Sequence, residues 1–235
     1  MRNVFLGIVI LLLIGCSKEE NTSEVPDNVP VIDVDGNVYN PVVIGKQTWF
    51  KENLKVSKYS DGTIIPEVND PAVWSTLNTG AWCYYSKNTS FGIEFGKLYN
   101  WYAIAGIYDV ASFNDTALRK KIVPKGYHIP TDGEWTILTN SLGSNTGGKM
   151  KEIGATHWAD TSPETTNSSL FTALPAGIRI GYGTFYFIGE YGYWWSATSI
   201  DSDIAWYRSL GYNSNNVCRS YDDKNYGFSV RFIKD

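Results

Sequence analysis

Cysteine, histidine and methionine are scarce: the 235 residues include three Cys, two His and two Met. No Cys-x-x-Cys pair occurs, and neither His128 nor His157 has a second His or Cys at metal-ligand spacing. That argues against a zinc site, so neither a metal nor a cofactor is expected. Surplus basic charge is missing as well. The 20 Lys and Arg residues are outnumbered by 24 Asp and Glu, and only Arg119, Lys120 and Lys121 stand together, so nothing resembles a basic stripe for nucleic acid. The apolar run Val4–Ile14 is too short to span a bilayer. No second break in composition follows residue 30, and the remaining length suits one domain with a sizeable core.

Arg2 before that apolar run makes residues 1–15 an export signal. Its ending, Leu13-Ile14-Gly15-Cys16, resembles the bacterial lipobox, which implies that Cys16 is acylated and becomes the first residue of the mature chain; an ordinary secretory signal cleaved elsewhere is the alternative. With Arg2 removed, 19 basic residues face 24 acidic ones. Residues 16–29 are rich in polar residues and proline, too poor in apolar surface to offset the entropy of ordering, and read as a lipidated flexible tether. Lys18-Glu19-Glu20 resembles the export signal of Bacteroidota surface lipoproteins, which implies an outer-membrane, cell-surface location. A solvated linker facing the periplasm is the other reading. The folded domain is expected over 30–235.

Within it, Val31–Val34, Asp35-Gly36 and Val38–Ile44 read as a hairpin with a two-residue turn, favoured over a calcium loop because the glycine spacing is wrong. Apolar spacing predicts a helix over Lys97–Ala105. A capping box at Thr131 and Glu134 predicts another, with Trp135, Leu138 and Leu142 buried and Gly143 ending it. Further helical stretches are expected over Val110–Lys121, with Ala111 and Leu118 inward, and over Lys149–Ile153. From Ala173 onward aromatic and β-branched runs alternate with polar turns. Strands are expected at Ala173–Ile180, Thr184–Ile188, Tyr193–Thr198, Ile204–Gly211, Asn216–Tyr221 and Phe228–Ile233. Helices first and strands later make the class α+β. Cys83 and Cys218 allow one disulfide by parity, or two separate buried thiols.

Several phrases, in order, carry a family likeness: Asp35-Gly36-Asn37-Val38-Tyr39, Ile44-Gly45-Lys46-Gln47-Thr48-Trp49, Glu52-Asn53-Leu54 and Tyr99-Asn100-Trp101-Tyr102-Ala103. Pro124–Asp132, Gly148–Lys151 and Phe171–Gly177 follow, then Tyr193-Trp194-Trp195-Ser196-Ala197-Thr198 and Gly227-Phe228-Ser229-Val230-Arg231. Together they resemble the Fibrobacter succinogenes major paralogous domain. The resemblance implies a fold similar to C-type lectin-like domains and formylglycine-generating enzymes, with helices flanking a twisted antiparallel sheet. That fold hosts sugar binders, protein binders, phage receptor-binding proteins and a copper oxidase, so it does not choose an activity. Relatives carry cysteines where this chain has Val123 and Phe232, which implies that these two residues touch in the core.

Nine Trp and sixteen Tyr suit a surface that stacks on sugar rings or grips a protein. Neighbouring strand residues face opposite sides, so Trp195 reads as core and Trp194 as a ligand candidate. Tyr182, Tyr186, Tyr191, Tyr207, Tyr212, Tyr221 and Tyr226 lie in or beside the late loops and are the better candidates. No enzyme reading assembles, because Cys83 and Cys218 fall outside any copper motif and no nucleophile, base and orienter occur as a set. Asp201, Asp203, Asp222 and Asp223 read as turn acids, with a glycosidase pair or a loop calcium site as alternatives. Neither Glu-Pro-Asn nor Trp-Asn-Asp, the calcium phrases of C-type lectins, occurs. His128 reads as a structural histidine bonded to backbone. Asp115-Thr116-Ala117 resembles the phrase that Bacteroidota O-glycosylate on exported proteins, which implies a glycan on Thr116; an ordinary helix start is the alternative. The expectation is a lipid-anchored, non-catalytic binding or adhesion domain. The alternatives are an enzyme related to the formylglycine-generating group and a structural envelope protein.

Overall fold

Asp33, rather than the Asp35-Gly36 pair alone, shapes the first hairpin. In the computed structural model, which describes residues 28–160 and 162–235, β1 (Val31–Ile32) pairs with β2 (Val38–Tyr39) across a wider connection. The buried Asp33 carboxylate accepts from the amides of Asp35 and Asn37, from Asn37 Nδ2 and, at 2.7 Å, from Tyr39 Oη. Those bonds draw five residues, not two, into the turn. Its carboxylates are accordingly engaged by protein donors. Cys16 and the tether up to residue 27 lie outside the described residues.

The chain then leaves this hairpin at Asn40. β3 (Pro41–Ile44) and β4 (Gln47–Phe50) join β13 (Ile233–Lys234) and β7 (Tyr127–His128) in a four-stranded sheet. β5 (Trp82–Cys83) and β6 (Leu98–Tyr99) form a two-stranded pair. The large sheet runs β12 (Cys218–Asp223), β11 (Ile204–Gly211), β10 (Tyr191–Ser199), β8 (Ala176–Arg179), β9 (Phe185–Ile188). It is not wholly antiparallel, since β8 meets β10 in parallel at Gly177 and Gly192. Helices and sheets together make the molecule α+β. Among the described residues no helix is long and apolar enough to cross a membrane.

The helices divide by how their ends are held. α5 (Asp132–Leu142) follows the capping box: Thr131 Oγ1 accepts from the Glu134 amide, Glu134 accepts from the Thr131 amide, and Gly143 ends it. Trp135 and Leu138 are buried and Leu142 partly so. The stretch expected to be helical from Lys97 is instead β6 followed by the single turn α3 (Trp101–Ile104). Asn100 forces the break, because its Oδ1 caps Ala103 and also accepts from Ala81 on the neighbouring segment. The Val110–Lys121 stretch divides too, into α4 (Val110–Asn114) and a 3-10 turn, Thr116–Leu118, begun by Asp115. There Ser112 is buried while Ala111 and Leu118 are exposed, the reverse of the apolar reading, because Ser112 closes a capping box with Asp109. α6 (Thr146–Met150) starts earlier than expected and ends before Ile153. Two further helices, α1 (Pro71–Ser75) and α2 (Thr89–Phe95), begin at Asp70 and Asn88 caps.

Residues 227–232 lie outside any strand. Gly227, Phe228 and Ser229 bridge singly to Arg179, Tyr99 and Trp194, so this segment threads between three elements. A buried polar hub forms around it. Asn53 Nδ2 donates to Phe95 O, and its Oδ1 accepts from Trp194 Nε1 at 2.9 Å and from Arg231 Nε at 2.7 Å. The Arg231 guanidinium also donates to the carbonyls of Phe50, Phe171 and Thr172 and lies 4.3 Å over the Phe171 ring. Burial pulls the pKa of Arg231 below its ordinary value. Satisfied donors are what make such a charge tolerable inside. Val123 and Phe232 are both buried in the cluster that includes Tyr39, Phe50, Tyr127 and Trp195. Cys83 is buried and Cys218 exposed, each a free thiol, so neither the disulfide nor a pair of buried thiols describes them.

Candidate functional site

Strand alternation sorts the large sheet into two faces. On β10, Tyr191, Tyr193 and Trp195 share one face, opposite Gly211, Ser209 and Tyr207 of β11. Trp194 points the other way into the core, is fully buried and donates to Asn53. This corrects the expectation that Trp194 reaches a ligand: its indole N–H is committed to the hub. Trp195 is buried as expected, donating to Tyr99 O.

The Tyr191 face is lined by a continuous series of rings. Tyr186 lies 5.7 Å from Phe187, Phe187 lies 5.4 Å from Tyr191, and Tyr191 lies 6.0 Å from Tyr193 and 6.3 Å from Tyr212. Tyr193 continues to Tyr207 at 5.9 Å, and Phe228 beneath links Tyr207 and Tyr193 to Tyr226. Tyr186 and Phe187 are exposed, and Tyr191, Tyr193, Tyr207, Tyr212 and Tyr226 are half-buried, so rings meet solvent while their edges rest on one another. Phe187 is held at a left-handed φ of 68°, an uncommon state for an aromatic residue that concentrates at ligand clamps. Opposite it, Gly177 has φ 66°, and a Cβ there would come within 2.5 Å of the Tyr186 carbonyl.

Burial raises the phenol pKa values of Tyr193 and Tyr207. Tyr226 is pushed up to about 12 by burial, reinforced by Asp222 and Asp223. Asp222 itself is raised by burial. The hydroxyls of Tyr193, Tyr207 and Tyr226 are therefore neutral at physiological pH, able both to donate and to accept.

The structure thus gathers Tyr186, Tyr191, Tyr207, Tyr212 and Tyr226. It sets two candidates apart. Tyr182 sits on the turn between β8 and β9, 83% exposed and apart from the ring series. Tyr221 is on the opposite face, edge-on to Trp206, whose other contact is the Arg219 guanidinium at 3.4 Å. Phe187, Tyr193 and Trp206 were not singled out from sequence. Tyr193 was legible from its two-residue spacing to Tyr191, whereas nothing local marks Phe187.

The remaining candidates fall elsewhere. Asp201 Oδ1 accepts from the amides of Asp203 and Ile204, the work of a turn acid. His128 bonds to side chains, not backbone, with Nδ1 2.7 Å from Asp235 and Nε2 2.8 Å from Glu134; the carboxylates of β13's end and α5 outcompete carbonyls. Thr116 is exposed, and the cap of its turn is Asp115. Among the described residues, no group of three His, Cys, Asp or Glu side chains is arranged to hold a metal ion.

The model of the Fibrobacter succinogenes major domain matches residues 42–234. The chain belongs to that family. Neither a curated protein nor a solved structure matches it. In this Fibrobacter succinogenes major domain, the matched stretch contains both the Asn53 hub and the ring array.

Proposed function

We propose that this protein is an outer-membrane lipoprotein, exposed at the cell surface and anchored through acylated Cys16, whose lectin-like domain is a non-catalytic binding or adhesion module. Its ligand is a glycan, stacked on the rings from Tyr186 to Tyr212. The observation that carries this reading is the ring array itself: sugar faces stack on aromatic rings, and phenol hydroxyls at their rim supply hydrogen bonds. A protein ligand is the alternative occupant of the same face. Thr116, exposed on its turn, is the proposed O-glycan acceptor.

Two tests address the parts separately. Cys16→Ala should release the protein from the membrane fraction, and unchanged fractionation would contradict the anchor. Protease added to intact cells should cut the domain; cutting only after lysis would place it inside. A glycan array probed with the purified protein tests the ligand class, and binding to no glycan would leave the sugar reading without support.

A further inference from the structure

A polar cleft lies away from the ring array, where the first hairpin, residues 55–57, α2 and the residue before β6 meet. It measures about 280 Å³ and is lined by Asp35, Asn37, Lys55, Ser57, Tyr84 and Lys97, with Gly92 and Ile93 on its helical wall. Lys97 is only 6% exposed, yet its ammonium has no hydrogen-bond acceptor among the described residues. It rests 3.8 Å over the Trp82 ring and 5.9 Å from that of Tyr84. A π-face satisfies part of such a charge from below and leaves its N–H donors facing the cleft. Gly92 permits this arrangement, since a Cβ there would come within 2.0 Å of the Tyr84 ring.

The acids nearby do not complete the ammonium. Asp35 is spent on the Ser57 amide at 2.5 Å, the Ser57 hydroxyl at 2.7 Å and Lys58 at 3.1 Å. Asp33 is consumed by its turn, and Glu67 acts on Lys97 only through space. Lys55 Nζ donates to Ile93 O and keeps donors to spare. Within the lining Lys55 and Lys97 face Asp35, and beyond it Asp33, Glu67 and Lys58 also act here, so what the cleft offers an anion is the Lys97 donors rather than a surplus of positive charge.

We propose that this cleft binds the carboxylate group of a small monoanionic molecule, with Lys97 as its principal donor and Lys55 and Tyr84 at its rim. A doubly charged phosphate fits less well, because Asp35 opposes the second charge. Burial draws the Lys97 pKa down to about 8, and a bound anion would push it back up. Affinity should accordingly hold below that pH and fall above it as the ammonium is lost, by about threefold for each half unit that binding raises the Lys97 pKa.

The test uses the full chain labelled with carbon-13 at lysine Cε, the Lys97 signal being identified by its loss in Lys97→Gln. Sodium acetate is titrated against sodium chloride at equal ionic strength, with inorganic phosphate as a third arm. The expected result is a saturable shift of the Lys97 signal with acetate, a rise of its titration midpoint by about half a unit or more, and several-fold weaker acetate binding in Lys55→Gln. If Lys97→Gln fails to fold, the signal is assigned instead through the ring-current change in Trp82→Phe. A Lys97 signal that responds to acetate no more than to chloride overturns the proposal, and so does phosphate binding as tightly as acetate.

Discussion

The interior around Asn53 and the outer face around Tyr191 are both aromatic, but they are closed in different ways. In the hub every ring is covered and polar atoms pair with one another: Trp194 and Arg231 meet on one Asn53 oxygen. On the outer face rings pair with rings and keep an edge in water. The phrases that carry the family likeness supply the hub, through Asn53, Phe171, Trp194, Ser229 and Arg231. Of the outer rings, Tyr193 and Phe228 lie inside those phrases and Tyr186, Phe187, Tyr191, Tyr207 and Tyr212 outside them. The family phrases thus supply the hub, whereas most of the rings proposed to meet a ligand lie outside them.

The largest effect that would sharpen this contrast is expected at Arg231. Arg231→Met should destabilise the protein by about 3–5 kcal/mol, because Asn53 Oδ1 and the carbonyls of Phe50, Phe171 and Thr172 lose a charged donor in a dry interior. Denaturant unfolding measures it, and a loss below about 1 kcal/mol would show that the hub does not hold the fold together. Gly177→Ala comes next, at about 1–3 kcal/mol, since the left-handed φ and the approach to the Tyr186 carbonyl both oppose a Cβ. It should also disturb the Phe187 ring, coupling stability to the outer face.

A smaller effect concerns His157, which lies between Glu152, 2.6 Å from Nδ1, and Glu94 on α2. Burial acts to lower its pKa, but the bonds and charges of Glu152 and Glu94 outweigh it and the pKa is raised. The stabilisation is thus fully present below the unfolded value of about 6.5 and is lost as pH rises through the higher folded value. His157→Gln should lower stability by about 1 kcal/mol or less in mild acid and flatten the pH dependence there, as thermal melts across pH would record. The smallest effect on stability belongs to the outer face: Tyr191→Ala should change it by about 1 kcal/mol or less, because only half-buried ring contacts are removed.

The elements written by local chemistry were legible. The Thr131 capping box gave α5, and β11 runs over the same residues that its aromatic and β-branched pattern marks. Where long-range partners decide, the sequence misled. Asn100 turns an apparent helix into a strand and one helical turn by bonding to Ala81, 19 residues away. Phe228–Ile233 reads as a strand, yet only Ile233 joins one, as the start of β13, while Phe228 and Ser229 bridge singly to Tyr99 and Trp194. The ring array was visible as a surplus of late tyrosines, but which of them meet depends on register: Tyr207 opposite Trp195 joins the face, and Tyr221 opposite Trp206 leaves it. Trp194 was misplaced because its strand position is equally compatible with either face until Asn53 is seen beside it.

The central claim is that the outer rings bind a glycan while the hub maintains the fold. Its most direct measurement is the affinity of the purified protein for the glycan it retains best on an array, compared with that of a Phe187→Ala, Tyr191→Ala double variant. The account predicts at least about a tenfold loss of affinity, each stacked ring contributing roughly 1 kcal/mol, with a melting temperature near that of the parent. Equal affinity in the double variant, or a loss that merely follows unfolding, would contradict it.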